Sequence, residues 1–220
     1  MHDHASVQTA LRRIVVRAEL SSGNGRPDIE AAIYFLFRRR TFFLAAAPVV
    51  MLVVARPSRE GVLFGLPFVV AGEGIRVWSA GYLTKLSKLV TAGPYALCRN
   101  PMYVGMFLIS IGYLAMCGRL EVWIGGIALF WLFHGGAVAY EERLLRGKFA
   151  EQYAEYSRRV PRLVPRLRAV KGEGTFSWRR LVMNNEHLAL GAAVIMCAIF
   201  AANAYSTQRS PLEWLASIRP

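Results

Sequence analysis

Five apolar stretches, each set off by polar or charged residues, divide the chain: 41–55, 61–82, 101–117, 122–140 and 188–205. The last four hold 22, 17, 19 and 18 residues, close to the ~20 a helix needs to cross a hydrocarbon core of ~30 Å. The first holds 15. It spans if the preceding Tyr-Phe-Leu-Phe turn enters the interface and Arg38, Arg39 and Arg40 snorkel to headgroups. Lipid offers a backbone no hydrogen-bond partners, so such runs are helices rather than open strands. After the fourth stretch, residues 143–165 place Leu144, Leu145, Phe149, Tyr153, Tyr156 and Val160 at a roughly helical period among arginines. That pattern predicts an amphipathic helix lying at the membrane interface. The expected fold is all-α: a polytopic membrane bundle of about five transmembrane helices plus this interfacial helix. The expected division is a polar, basic tail (1–40), a membrane core (41–165), and a basic linker with a final span (166–220).

Composition agrees with that picture. The chain is 55% apolar and 19% charged, with mean hydropathy +0.32, which excludes a disordered chain and argues against a water-soluble domain. Lys and Arg number 27 against 14 Asp and Glu, a formal charge of +13. Such a balance invites a nucleic-acid reading. The arginines and lysines divide unevenly between the two sides, however. With the N-terminus inside, 21 fall on the cytoplasmic side and 5 on the other, with Arg76 left in a span. This is the positive-inside bias, and the charge then faces anionic lipid rather than nucleic acid. Integral, multi-pass placement is expected, with the N-terminus and the loops after the second and fourth stretches cytoplasmic. Cys98, Cys117 and Cys197 make neither a disulfide framework nor a zinc-spaced pair. His2 and His4 read as a solvated terminus, so no metal site is expected. The first 30 residues lack the apolar block of a secretory leader.

Two polar stretches, placed on the same side by this topology, hold the candidate chemistry. The first is 93–105, GPYALCRNPMYVG. Pro101 suits the first turn of a helix, and Asn100 before it is a good N-cap. Arg99 and Tyr103 stand beside it, and interfacial belt duty is the plain alternative for Tyr103. The second stretch begins with Glu141 and Glu142, two carboxylates at the end of an apolar helix. Adjacent helical residues point about 100° apart, so the pair serves two groups of one ligand, or one ligand and one arginine. By helical arithmetic His134 shares a face with Glu141, and Gly135-Gly136 is expected to let a neighbour approach closely. His134 itself reads as a satisfied polar core residue. Glu73 and Arg76, three apart, are expected to pair inside the membrane. Nothing marks Cys98 as activated.

Together these stretches resemble the isoprenylcysteine carboxyl methyltransferase and phospholipid methyltransferase superfamily of integral membrane enzymes. The residues that carry the likeness are Gly93-Pro94-Tyr95, Arg99-Asn100-Pro101-Met102-Tyr103, Glu141-Glu142, Leu145, Phe149, Tyr153, Tyr156 and Val160-Pro161-Arg162. Arg76 and Trp78 in the second span are similar too. The resemblance implies S-adenosylmethionine as cofactor, with Tyr95, Arg99, Asn100, Tyr103, Glu141 and Glu142 as its binding residues. It implies methyl transfer to a lipophilic or lipid-linked acceptor among membrane lipids, most like carboxyl O-methylation. Asn100 stands where the prenylcysteine enzymes have His, and it cannot titrate near neutral pH. For a carboxylate acceptor, Arg143, Arg158 or Arg162 would orient it. For a phospholipid amine, the alternative acceptor, Glu141, Glu142 or Tyr153 would take the proton. A non-catalytic membrane binding or scaffold protein is the reading from another class.

Overall fold

The computed structural model describes residues 50–84 and 87–206. The expected N-terminal tail and most of the first apolar stretch lie outside them. Residues 50–54 are helical. Helix α1 follows at Arg59–Tyr82, started by Ser58, whose Oγ accepts the Gly61 N–H at 3.0 Å. That bond satisfies one of the free donors of a first turn. A short 3-10 turn, Gly93–Ala96, leads to α2, Pro101–Cys117. This helix stops at Gly118, whose φ of 68° is the left-handed cap that glycine adopts without strain. Next come α3 (Leu120–Phe130), a π-turn (Trp131–Gly135) and α4 (Gly136–Arg159), which form one 40-residue rod. Helices α5 (Trp178–Met183) and α6 (Glu186–Ser206) close the order. There is no strand among the described residues.

Helix α1, the α3–α4 rod and α6 are each long and apolar enough to cross a membrane, and α2 is a shorter apolar helix of 17 residues. The chain is a helical membrane bundle. One boundary differs from expectation. The fourth span and the polar helix are continuous through Glu141-Glu142, and the helix ends at Arg159 rather than Pro165. No proline interrupts residues 120–160, so the rod runs on through the π-turn and kinks instead of breaking, at Ala150 (φ 32°, ψ −104°). The Pro161 ring then disfavours helical geometry in Val160, which leaves the rod extended at φ −116°, ψ 126°.

Helices α1 and α2 pack antiparallel with their backbones almost touching. A Cβ on Gly72 would lie 2.5 Å from the Gly105 carbonyl oxygen, and one on Gly105 would lie 2.6 Å from that of Gly72. Only glycine fits there. Val62 and Val69 of α1, Met116 and Cys117 of α2, and Ala193 and Phe200 of α6 share one apolar cluster. Arg76 joins α1 to α6: its Nη2 donates to Glu186 Oε2 at 2.7 Å, and its Nη1 lies 3.5 Å from Glu73 Oε1. The expected Glu73–Arg76 pair is therefore present, but the shorter bond goes to Glu186.

Candidate functional site

The site forms where α2 begins and the rod leaves its apolar stretch. The Pro94 ring fixes φ for the 3-10 turn, and this turn buries Pro94, Tyr95 and Ala96. Tyr156, one turn short of the rod's end, donates its hydroxyl to the Tyr95 carbonyl at 2.7 Å. Tyr153, Tyr156 and Val160 cluster with Leu89, Leu145, Phe149 and Val170. The amphipathic period read from the sequence thus packs against the turn and fixes the rod relative to α2.

After Val160 the chain runs back across the turn as a strap. The Arg99 N–H donates to Pro161 O at 2.8 Å, Arg166 N–H to Leu97 O at 3.0 Å, and Val170 N–H to Ala96 O at 3.2 Å. Farther along, Thr91 N–H donates to Glu173 O at 3.2 Å, and Glu173 N–H to Thr91 Oγ1 at 2.9 Å. Extended chain beside irregular chain satisfies backbone groups that would otherwise be stranded. The strap was not foreseen. Its only sequence signal is the Val160-Pro161 helix exit.

Within this frame the two carboxylates meet α2. Asn100 Nδ2 donates to Glu142 Oε1 at 2.9 Å and to the Arg162 carbonyl at 3.1 Å. Both partners are acceptors, which fixes the amide orientation. Tyr103 donates its hydroxyl to Glu141 Oε1 at 2.7 Å. Glu142 is buried, with Arg162 Nε 3.2 Å from Oε2 and Arg99 Nε 3.5 Å from Oε1. The Arg99 and Arg146 guanidiniums lie 5.9 and 6.0 Å from the centre of the Tyr153 ring, within cation–π range. Tyr153 is fully buried and its hydroxyl has no hydrogen-bond partner. Burial pushes the Cys98 thiol up to about 11, so it stays protonated and un-nucleophilic at neutral pH.

Of the residues singled out, Arg99, Asn100, Tyr103, Glu141, Glu142, Tyr153 and Arg162 come together. Tyr95 joins through its backbone carbonyl. Arg143 and Arg158 are exposed, Arg158 beside Glu151, Glu155 and Arg159. The Asn100 side chain makes no N-cap bond, contrary to expectation. Its own carbonyl already takes the Tyr103 and Val104 N–H groups at 3.1 and 3.3 Å, which leaves the amide for Glu142. Gly135 brings no helix close: a Cβ there would meet only the Trp131 ring, at 3.9 Å.

A cleft of about 250 Å³ opens next to Tyr103, lined by Val104 and Phe107 of α2, Trp131 and His134 of the π-turn, and Val164 of the strap. The π-turn widens the rod there. The His134 ring stacks on Phe130 with centres 4.4 Å apart, and its Nδ1 lies 3.1 Å from Phe130 O. π-turns inside α-helices are frequent at functional sites. Among the described residues no group of three His, Cys, Asp or Glu side chains is placed to hold a metal ion.

The fold and this junction define a helical membrane protein with a polar side-chain cluster beside an apolar cleft. Residues 62–152 match the family of phospholipid methyltransferases. The cobalt-zinc-cadmium resistance protein CzcN of Cupriavidus metallidurans is 40% identical over 104 residues, covering 46% of this chain and 48% of that protein. Protein-S-isoprenylcysteine O-methyltransferase B of Arabidopsis thaliana is 36% identical over 115 residues, 46% of this chain and 58% of that one. The Mus musculus protein-S-isoprenylcysteine O-methyltransferase is 31% identical over 131 residues, 60% of this chain and 44% of that one. Through this segment the chain is similar to phospholipid methyltransferases and to protein-S-isoprenylcysteine O-methyltransferases. It spans about half the length of the curated relatives it matches. No solved structure matches it.

Proposed function

We propose that the chain is an S-adenosylmethionine-dependent methyltransferase of the membrane, acting on a lipophilic acceptor by carboxyl O-methylation of the isoprenylcysteine type. The observation that carries this reading is the junction itself. Asn100 and Tyr103 at one helix start each bond one of two adjacent carboxylates on another helix. The donor set fits the cofactor, which bears an ammonium, a sulfonium and a carboxylate. Glu141 and Glu142 offer negative charge, Tyr103 and Tyr153 offer aromatic faces, and Arg99 offers a guanidinium. Arg99 Nε and the Tyr153 hydroxyl are buried donors whose approach to protein acceptors falls short of good hydrogen-bond geometry, and a bound polar group would complete it. When bound, the cofactor supplies an activated methyl group.

The chain's own residues then position the reactants and exclude water. A carboxylate acceptor is already a nucleophile, so it needs orientation rather than a base. Arg162, half-exposed on the strap and paired with Glu142, suits that task better than the exposed Arg143 and Arg158. The acceptor's apolar chain would lie in the cleft beside Tyr103, reached sideways from lipid. On the charge bias, the N-terminus and this end of the bundle face the cytoplasm.

The second reading is N-methylation of a phospholipid headgroup amine, which the family match of residues 62–152 favours. It needs a base. Glu141, Glu142 and Tyr153 stand at the junction for that role. Calorimetric titration of the detergent-purified chain with S-adenosylmethionine tests the common core of both readings. Absence of binding by folded protein overturns both. Incubating membranes with radiolabelled methyl donor then separates them: base-released volatile label supports the ester, and label stable in lipid supports the amine.

A further inference from the structure

The strap and α5 carry large apolar side chains that stay largely exposed among the described residues. Val164 is 79% exposed, Leu167 fully exposed and Trp178 70% exposed. Exposed apolar residues on a polar connection mark an interaction surface. Two observations say what covers them. First, Val164 and Trp178 stand beside the apolar helices. Val164 lines the same cleft as Phe107 and Trp131. Phe107 lies six residues into α2, about 9 Å along its axis at 1.5 Å per residue. Trp178 opens α5, which is tied to the end of α1 by Ser177 N–H donating to Gly81 O at 2.9 Å and by Asn184 Nδ2 donating to Ala80 O at 3.0 Å. Second, the apolar residues alternate with cations. Between residues 158 and 180 there are eight Lys and Arg against one Glu. Arg166 also donates to the Arg159 carbonyl at the rod's end, which anchors the strap's basic side there.

The geometry points to this face as a docking surface for anionic phospholipids of the adjacent leaflet. Val164, Leu167 and Trp178 enter the headgroup–acyl boundary while the arginines meet phosphates. The strap thus closes one wall of the cleft against lipid rather than water. Arg162 extends the contact to Glu142, so the leaflet adjoins the polar junction. A soluble protein partner would need no such place beside the apolar helices, and a purely apolar partner would leave the cations unpaired. The proposal rests on the fold and stands apart from the methyltransferase reading.

The test uses the full chain carrying Leu167→Cys, labelled with an environment-sensitive fluorophore in lipid nanodiscs. Leu167 is fully exposed, so the substitution removes no core contact. The unsubstituted chain, labelled alike, provides the background from native thiols, and Val164→Cys provides a second site. Lys148→Cys, on an exposed part of the rod, is the water-facing reference. With phosphatidylglycerol in the disc, the Leu167 label is expected to shift to the blue. It is also expected to show iodide quenching about five-fold weaker than the Lys148 label, as for a group at the interface. Iodide quenching at Leu167 and Val164 equal to that at Lys148 would overturn the docking. Equal protection in discs of phosphatidylcholine alone would overturn recognition of anionic headgroups. Neither readout involves methyl transfer.

Discussion

Replacing Glu142 by Gln tests the junction most directly. The carboxylate accepts from Asn100 at 2.9 Å and faces Arg162 Nε at 3.2 Å and Arg99 Nε at 3.5 Å. A glutamine keeps the shape but offers one acceptor and one donor. Whichever way it turns, its NH₂ confronts either the Asn100 amide nitrogen or a guanidinium. Breaking a buried ion pair costs about 3–5 kcal/mol. Here the Arg162 side chain is 46% exposed, so water compensates it, and only Arg99, at 14%, is left buried beside a neutral group. The expected loss of stability is therefore smaller, roughly 2 kcal/mol, about one charge-assisted hydrogen bond. Thermal unfolding in detergent reads it. Glu155→Gln, which removes an exposed pair with Arg159, serves as the control expected to change stability by under about 1 kcal/mol. If Glu142 also holds the cofactor, S-adenosylmethionine affinity falls at least about ten-fold, or ~1.4 kcal/mol, by calorimetric titration. A Glu142→Gln chain with unaltered melting and unaltered affinity would refute both the energetic account and the assignment.

Tyr103→Phe deletes the 2.7 Å bond to Glu141 and keeps the ring, so stability is expected to fall by about 0.5–1.5 kcal/mol, read by the same melting assay. Gly72→Val forces a Cβ to 2.5 Å from the Gly105 carbonyl and is expected to cost at least about 1–3 kcal/mol. Gly74→Ala, where a Cβ meets nothing within 4 Å, should melt like the parent. The Cys98 thiol carries a linkage prediction. Its folded value of about 11 lies above the ordinary 9.0, so the unfolded chain ionises first as pH rises. The associated stability is complete below pH 9.0 and is lost on the way to 11. Cys98→Ala should therefore show a shallower decline of melting temperature than the parent across that window, and parallel declines would remove the effect.

The local order of the fold was legible because it depends on local pattern. Pro101 and Gly118 bound α2 at the residues where helix chemistry places a start and a stop. Apolar length alone marked α1 and α6. What pattern could not supply was pairing across distance. Arg76 sits 110 residues from Glu186, which stands just before the last apolar stretch and reads there as an ordinary polar flank. Glu142 and Asn100 lie 42 apart. The motif put both on one side of the membrane, and only packing could say that they touch. Capping was predicted for Asn100 because an isolated helix start leaves its first N–H groups free. In the folded chain the Asn100 carbonyl takes one of them, from Tyr103, and the amide is drawn to a buried carboxylate, where a charge-assisted bond is stronger than a neutral cap. The same preference accounts for the strap. Once the rod ends at Val160, a chain leaving directly for α5 would strand the backbone groups of residues 96, 97 and 99. By running back across them it satisfies those groups and brings Arg162 onto Glu142 in the same pass. The Val160-Pro161-Arg162 ending thus acts as a unit: the proline ends the helix, its carbonyl receives Arg99, and the next side chain closes on the glutamate.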